Sequence, residues 1–218
     1  MGYFKEIPNV EVQSFIDTRK SSSDYLLVKN FFRRVKIRED IQNIITIFNK
    51  YIIEEGERPE TVADKLYGSP ELDWVVLITA GIVNMRDEWP LSDRDLYRFC
   101  EQKYGLDELN AVRFYETTEV KDSIGRLILP KGKVVDSDFN IQDPDNPGFL
   151  LTTNPVIGIS NYEYEVRKND AKRTIYTLKP GYLQQFLDDS RELMLYTESS
   201  EYINDTLIKT ENTRNTLP

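Results

Sequence analysis

The chain has 218 residues, with no histidine, one cysteine, and 28 basic against 37 acidic side chains, for a formal net charge of −9. Without an imidazole, Ser-His-Asp and Cys-His catalytic relays and HExxH zinc sites are excluded. One cysteine excludes an internal disulfide, and the acidic balance argues against non-specific binding to duplex DNA. We find neither the apolar run of a signal peptide nor that of a membrane span, and expect neither.

The first segment, residues 1–50, is predicted to form an extended arm followed by a short amphipathic helix. Apolar residues alternate loosely from Phe4 to Val12, and the polar stretch 17–23 is typical of a loop. Four apolar residues within 41–48 recur at i, i+3, i+4 and i+7, the spacing of one helical face.

The segment 25–38 is apolar at first and then strongly basic. Its basic side chains all precede the first acid, Glu39, and are Lys29, Arg33, Arg34, Lys36 and Arg38. Two interpretations stay open: a docking patch for an acidic partner, or a solvated face that balances an acidic chain.

Residues 51–90 predict a strand, two helices and a returning segment. The strand from Tyr51 is stopped by Gly and Pro, and the helix 61–67 is followed by Gly68, which can adopt a left-handed C-cap. A second helix is predicted over 70–80, with Pro at its start and Gly immediately after it.

Residues 91–196 are predicted to form a mixed α/β part. Ser92 can cap a helix over 93–104, and strand patterns follow from Val112. We expect a β-hairpin over 162–178 and a terminal helix that begins at Pro180.

The last segment, residues 197–218, has no sustained apolar period. It is rich in Thr, Asn and Glu, a composition that cannot bury much apolar surface. We expect a mobile tail, or one that orders on a partner.

The polar loop 136–149 starts like an EF-hand, with oxygen-bearing side chains at alternate positions from Asp136. Ile141 stands where the sharp turn needs Gly, and Pro147 where a bidentate Glu is needed. Carboxylate pairs arise by chance among 37 acids. We therefore predict no catalytic residue, no cofactor and no metal.

Aromatic residues are abundant, with 13 Tyr, 10 Phe and 2 Trp. Tyr and Trp are enriched in protein interfaces, although a row of aromatic side chains along a helix or strand is more often part of a core. Together with the basic segment, residues 29–38, and with Arg58 they supply our candidates for a protein interface, which are Arg33, Arg34, Lys36, Arg38, Arg58, Trp74, Trp89, Tyr162 and Tyr164.

The stretch 57–77, ERPETVADKLYGSPELDWVVL, resembles the LysM-like region of the baseplate wedge protein 53 family of T-even-like contractile-tailed bacteriophages. The resemblance continues in the blocks EWPLS at 88–92, RFYE at 113–116 and NYEYEVR at 161–167, and covers roughly residues 25–195. One departure is the RFYE block, where the family pattern leads us to expect a His that this chain lacks.

The resemblance implies an α+β protein in which 51–90 is a small LysM-like βααβ unit, with an extended N-terminal arm and a β-hairpin/helix C-terminal part. It implies a structural, non-enzymatic subunit that joins neighbouring wedges by protein-protein contacts. The implied partners are other wedge and hub proteins and neighbouring copies across wedges, with no nucleic acid and no membrane. The implied location is the virion tail baseplate, after assembly in the host bacterial cytoplasm.

The alternative interpretation is a LysM-type peptidoglycan-binding module in a cell-wall-targeting tail component. The single, embedded unit favours the structural interpretation, because wall-binding LysM units commonly occur as linked repeats beside a catalytic domain.

Overall fold

The computed structural model describes residues 2–13, 25–37 and 46–210. The chain divides into two compact units: unit 1 takes in 1–53, 57–89 and 174–218, and unit 2 takes in 54–56 and 90–173. Both contain helices and strands, which confirms the predicted α+β class. Among the described residues, no helix is long and apolar enough to cross a membrane.

The described strands are β1 (Asn9–Gln13), β2 (Tyr25–Lys29), β3 (Phe48–Ile52), β4 (Val112–Thr117), β5 (Val120–Lys121), β6 (Leu127–Leu129), β7 (Val134–Val135), β8 (Val156–Ser160), β9 (Thr174–Leu178), β10 (Tyr202–Asn204) and β11 (Leu207–Lys209). The described helices are α1 (Tyr3–Glu6), α2 (Pro59–Tyr67), α3 (Asp73–Thr79), α4 (Met85–Glu88), α5 (Asp93–Glu108), α6 (Asn161–Ala171) and α7 (Leu183–Met194). Single 3-10 turns, Pro70–Leu72 and Pro180–Tyr182, lead into α3 and α7.

A four-stranded sheet in unit 1 joins the two ends of the chain, in the order β10-β11-β1-β2. β1 is parallel to β11 and antiparallel to β2. The structure therefore differs from the expected mobile tail, because residues 202–209 form two strands of this sheet. The remainder of that segment, 211–218, lies outside the described residues.

Unit 1 also contains the order strand, helix, helix, strand, formed by β3, α2, α3 and β9. The two strands pair antiparallel from Phe48↔Leu178 to Ile52↔Thr174. The returning strand thus comes from 174–178 and not from 82–90, where the structure has α4. In the sequence, the main part of unit 2, residues 90–173, lies between α4 and β9.

The helix boundaries in this region follow local signals. Gly68 has φ of 70° and its N–H caps α2 by donating to the Asp64 carbonyl, as predicted. The apolar faces of the two helices then pack into a core with Ile53, which directly follows β3, and Ile175 of β9. A second core cluster in unit 1 surrounds Trp74 and Val75.

Unit 2 combines α5 and α6 with a three-stranded sheet in the order β7-β4-β8. Ser92 caps α5 by accepting a hydrogen bond from the Asp95 N–H, as predicted. Gly105, at φ of 78°, breaks the helical geometry directly after the predicted helix 93–104, but α5 continues to Glu108. The core of the unit is centred on Leu96, Cys100 and Leu109.

Two local predictions need correction or fall outside the structure. The expected hairpin over 162–178 is wrong, because 161–171 is the helix α6 and β9 pairs with β3 instead. Tyr162 and Val166, four residues apart, pack on one helical face. Of the predicted helix within 41–48, residues 41–45 lie outside the described residues and Phe48 begins β3.

Candidate protein interface

The basic segment begins at the last residue of β2, and contacts made by Lys29 and Arg33 hold its first turn to the rest of unit 1. Lys29 Nζ donates to the Ile7 carbonyl at 2.8 Å. The Arg33 guanidinium donates to the Leu193 carbonyl at 3.1 Å and lies 4.9 Å from the centre of the Tyr196 ring. These contacts fix the path of the segment, while half of the described residues 30–37 stay exposed.

Arg34 and Lys36 line a groove of about 670 Å³ in unit 1. The rest of the lining is mostly apolar and comprises Tyr3, Val35, Trp74, Leu77, Ile78, Gly81, Ile82 and Val83. Burial raises the pKa of the Tyr3 phenol, and the Arg34 charge partly opposes that rise. An apolar floor with basic groups at its rim suits a partner segment that carries both apolar and acidic side chains.

Large apolar side chains accompany the basic groups. Phe31 is 68% exposed and Phe32 is 99% exposed, on the turn directly after β2. Phe4 packs edge to face on Phe31, with ring centroids 5.8 Å apart. Such adjacent exposed aromatics are typical of a surface that another molecule covers.

The two tryptophans among the candidates are buried in unit 1, each 6% exposed. Trp74 packs between Tyr3 and Phe186, with ring centroids at 5.4 and 5.9 Å. Trp89 Nε1 donates to the Glu57 carbonyl at 2.8 Å. Both side chains therefore stabilise the fold, and Trp74 also lines the groove.

The other candidates lie apart from the groove or outside the described residues. Arg58 is exposed and its guanidinium is 3.2 Å from the Glu60 carboxylate. Arg38 lies outside the described residues. The structure thus brings together Arg34, Lys36 and Trp74, with Arg33 directly before Arg34 in the same segment.

Tyr162 and Tyr164 belong to α6 in unit 2 and are half-buried. Tyr162 packs on Tyr97 at 6.1 Å, and Tyr164 packs on Phe114 at 6.0 Å, both edge to face. The Arg113 guanidinium lies 4.3 Å from the centre of the Tyr164 ring. These contacts orient both tyrosines within their own unit.

Sequence reasoning missed Tyr3, Phe31 and Phe32 as members of this surface. The signal was the apolar run of 25–28, followed three and four residues later by two Phe and then by Arg. An apolar run would normally indicate a buried strand, but a buried strand is not expected to continue directly into a turn with so many basic side chains. The combination therefore indicates an exposed apolar surface.

No group of three His, Cys, Asp or Glu side chains in 2–13, 25–37 and 46–210 is placed to hold a metal ion. Cys100 is buried, and burial together with the Glu165 charge raises the pKa of its thiol. The thiol is therefore held in its protonated form, which is a poor nucleophile.

Comparison with known proteins identifies the family. A family model described as base plate wedge protein 53 matches residues 12–193, which include most of both units. The chain belongs to the base plate wedge protein 53 family. Baseplate wedge protein gp53 of Enterobacteria phage T4 is 26% identical over 153 residues, which are 66% of this chain and 72% of that protein.

Membership of the base plate wedge protein 53 family confirms the predicted family and the predicted class of function, a structural subunit of a phage baseplate wedge. The matched region includes β2, the basic segment and all the residues that line the groove except Tyr3. The LysM-like character of the strand-helix-helix-strand part stays a prediction.

Proposed function

We propose that this wedge subunit joins neighbouring wedges of the baseplate through protein-protein contacts, and that its basic segment binds an acidic surface of a neighbour. The partners are other wedge and hub proteins and neighbouring copies. The protein works in the virion tail baseplate, after assembly in the host bacterial cytoplasm, and performs no catalysis.

The observation that carries the proposal is the concentration of positive charge in a chain of net charge −9. The described residues 25–37 contain Lys29, Arg33, Arg34 and Lys36 and no acidic side chain. Complementary charge accelerates encounter with an acidic partner and fixes its orientation.

The groove beside the segment supports a lasting contact. Its apolar lining can bury a partner's apolar side chains, which contributes about 25 cal/mol per Å² removed from water. Charged groups at the rim add specificity more than affinity. This division of roles suits a subunit that remains in place after assembly.

The test uses the full chain and purified wedges that lack it. Arg34→Glu/Lys36→Glu reverses the two charges that line the groove, and an Arg33→Glu/Arg34→Glu/Lys36→Glu variant extends the change. The matched control is Arg94→Glu/Lys131→Glu/Lys133→Glu, which reverses three exposed charges of unit 2.

We expect the groove variants to weaken wedge joining about tenfold or more at low salt, measured by sedimentation, and the control to weaken it little. The wild-type interaction should also weaken as salt is raised, because the Debye length falls to about 8 Å at 0.15 M. Equal joining by the groove variants and the control would contradict the proposal.

The peptidoglycan-binding alternative has one observation in its favour, the order strand, helix, helix, strand of β3, α2, α3 and β9. It predicts saturable co-sedimentation of the full chain with purified peptidoglycan. Binding to peptidoglycan that persists in an excess of soluble glycan fragments would not depend on glycan recognition, and it would reject this alternative.

A further inference from the structure

β2 is an edge strand that is apolar along most of its length and exposed on both faces. Its first four residues, Tyr25, Leu26, Leu27 and Val28, are 36%, 47%, 60% and 40% exposed. β1 pairs with one side of β2, and no strand among the described residues pairs with the other side.

The register of β1 and β2 shows which backbone groups face that free side. Asn30 N–H donates to the Pro8 carbonyl at 2.9 Å, in line with the register Asn9↔Lys29. Hydrogen-bonded pairs alternate along an antiparallel ladder, so Val28 also faces β1. By the same alternation Leu26 faces β1, so the N–H and C=O of Leu27, which lies between Leu26 and Val28, point to the free side.

Natural proteins protect free edges with a charge within the strand, a proline, a bulge or a cover. The pairing of β2 with β1 runs through five consecutive residue pairs without a register shift, and β2 has a charge only at its last residue, Lys29. An edge of this kind is suited to accept a further strand.

The charges around the edge favour an acidic partner strand. The basic segment begins at the Lys29 end of β2, and Lys209 Nζ lies 3.7 Å from the centre of the Tyr25 ring. Glu11, on the neighbouring strand opposite Leu27, is the acid nearest in register. A strand of a second copy would bring its own Lys29 and Arg33 to this positive edge, which disfavours self-pairing.

We infer that the free edge of β2 binds an extended, acidic segment of a neighbouring baseplate protein as an added strand. The added strand pairs its backbone with Leu27, places its acidic residues near Lys29 and Arg33, and covers Phe31 and Phe32. The inference rests on the proposed function, since it specifies how the basic surface holds its neighbour.

The test compares two substitutions at one position, with wedges lacking the protein as the probe. Leu27→Pro removes the N–H that points to the free side, and an edge strand accepts proline in that orientation. Leu27→Ala shortens the side chain and keeps the N–H. Tryptophan fluorescence during urea unfolding checks that each variant is folded, because both Trp lie in unit 1.

We expect Leu27→Pro to weaken wedge binding about tenfold or more and Leu27→Ala to weaken it about threefold or less. Equal losses in the two variants, or wild-type binding by Leu27→Pro, would overturn the added strand. If Leu27→Pro leaves binding intact while Arg34→Glu/Lys36→Glu abolishes it, the proposed function stands and this inference fails. If neither variant changes binding, both fail.

Hydrogen exchange of the wild-type chain gives an answer even if Leu27→Pro does not fold. The Leu27 amide should exchange at least tenfold more slowly in joined wedges than in the isolated chain. Unchanged exchange would overturn the inference, as would a dimer of the isolated chain that protects the same amide.

Discussion

The two units use different means to fill their interiors. Unit 1 buries large apolar groups, including both Trp of the chain, in two clusters. Unit 2 has one small apolar cluster around Cys100 and buries Glu165 and Asn169 next to it. The difference shows that a chain with a modest apolar fraction of 39% can fill the interiors of both units when part of one interior is polar and fully hydrogen-bonded.

The polar interior of unit 2 is built around α6. Glu165 is 4% exposed and accepts hydrogen bonds from Lys103 Nζ and the Tyr104 hydroxyl, each at 2.7 Å. Asn169 accepts from the Leu91 N–H at 2.8 Å and donates to the Leu91 carbonyl at 2.9 Å. Each of these groups would cost stability if its partner were removed.

The largest expected effect is in unit 1. Trp74→Ala removes a side chain packed between two aromatic rings, so it should lower the free energy of unfolding by about 3–5 kcal/mol. Urea unfolding followed by the fluorescence of Trp89 measures the loss. Tyr176→Ala, at an exposed position on β9, is the control and should cost under about 1 kcal/mol. Similar costs for the two variants would contradict the claim that unit 1 is stabilised by its buried aromatic side chains.

A smaller, pH-dependent effect is expected in unit 2. Burial by itself would raise the pKa of Glu165, but the hydrogen bonds from Lys103 and Tyr104 outweigh burial and hold the pKa below its usual value. The ionised group thus stabilises the fold at pH values above about 4.3, the unfolded pKa, and this contribution is lost as the pH falls through the folded pKa. Glu165→Gln should cost about 1–3 kcal/mol at pH 7.

Urea unfolding from pH 7 downward, followed by circular dichroism, measures how this cost changes. The difference between wild type and Glu165→Gln should shrink below about pH 4.3. Glu163→Gln is the control, because Glu163 lies on the same helix and forms an exposed ion pair with Arg167, worth under about 1 kcal/mol. A pH-independent cost of Glu165→Gln would reject this account of unit 2.

The smallest effect concerns the start of α6. Ser160 Oγ accepts a hydrogen bond from the Glu163 N–H at 3.1 Å, so Ser160→Ala should cost about 1 kcal/mol. Hydrogen exchange of the first-turn amides of α6 should accelerate about fivefold. The control is Ser137→Ala, in an exposed loop, which should leave the exchange of those amides unchanged. If exchange is no faster in Ser160→Ala than in this control, the cap is not needed.

Local signals in the sequence located most helices of both units. Gly68, Ser92 and Gly105 act within a few residues of themselves, so the end of α2, the start of α5 and the break in α5 could be predicted, but not the continuation of α5 to Glu108. The pairing of β3 with β9 could not be predicted, because the two strands are separated by all of unit 2 in the sequence. Pattern within a short window carries no information on so distant a partner.

The error at α6 came from the choice of period. Tyr162, Tyr164 and Val166 alternate as in a strand, but Ser160 and Glu163 have the spacing of a capping box, which indicates a helix start.

At the candidate interface, charge was a better guide than aromatic content. The exposed Arg34 and Lys36 could be found from the basic run. Trp74 and Trp89 were grouped with them because composition does not distinguish an aromatic in a core from one at a surface. Their burial depends on helix packing, which only the folded chain reveals.

The most direct test of the proposed role is a reconstruction of isolated baseplates at side-chain resolution. The proposal predicts that this chain bridges two neighbouring wedges, with Arg34 and Lys36 against acidic side chains of a neighbour. A chain enclosed within one wedge, or a basic segment that faces solvent in the assembled baseplate, would contradict it.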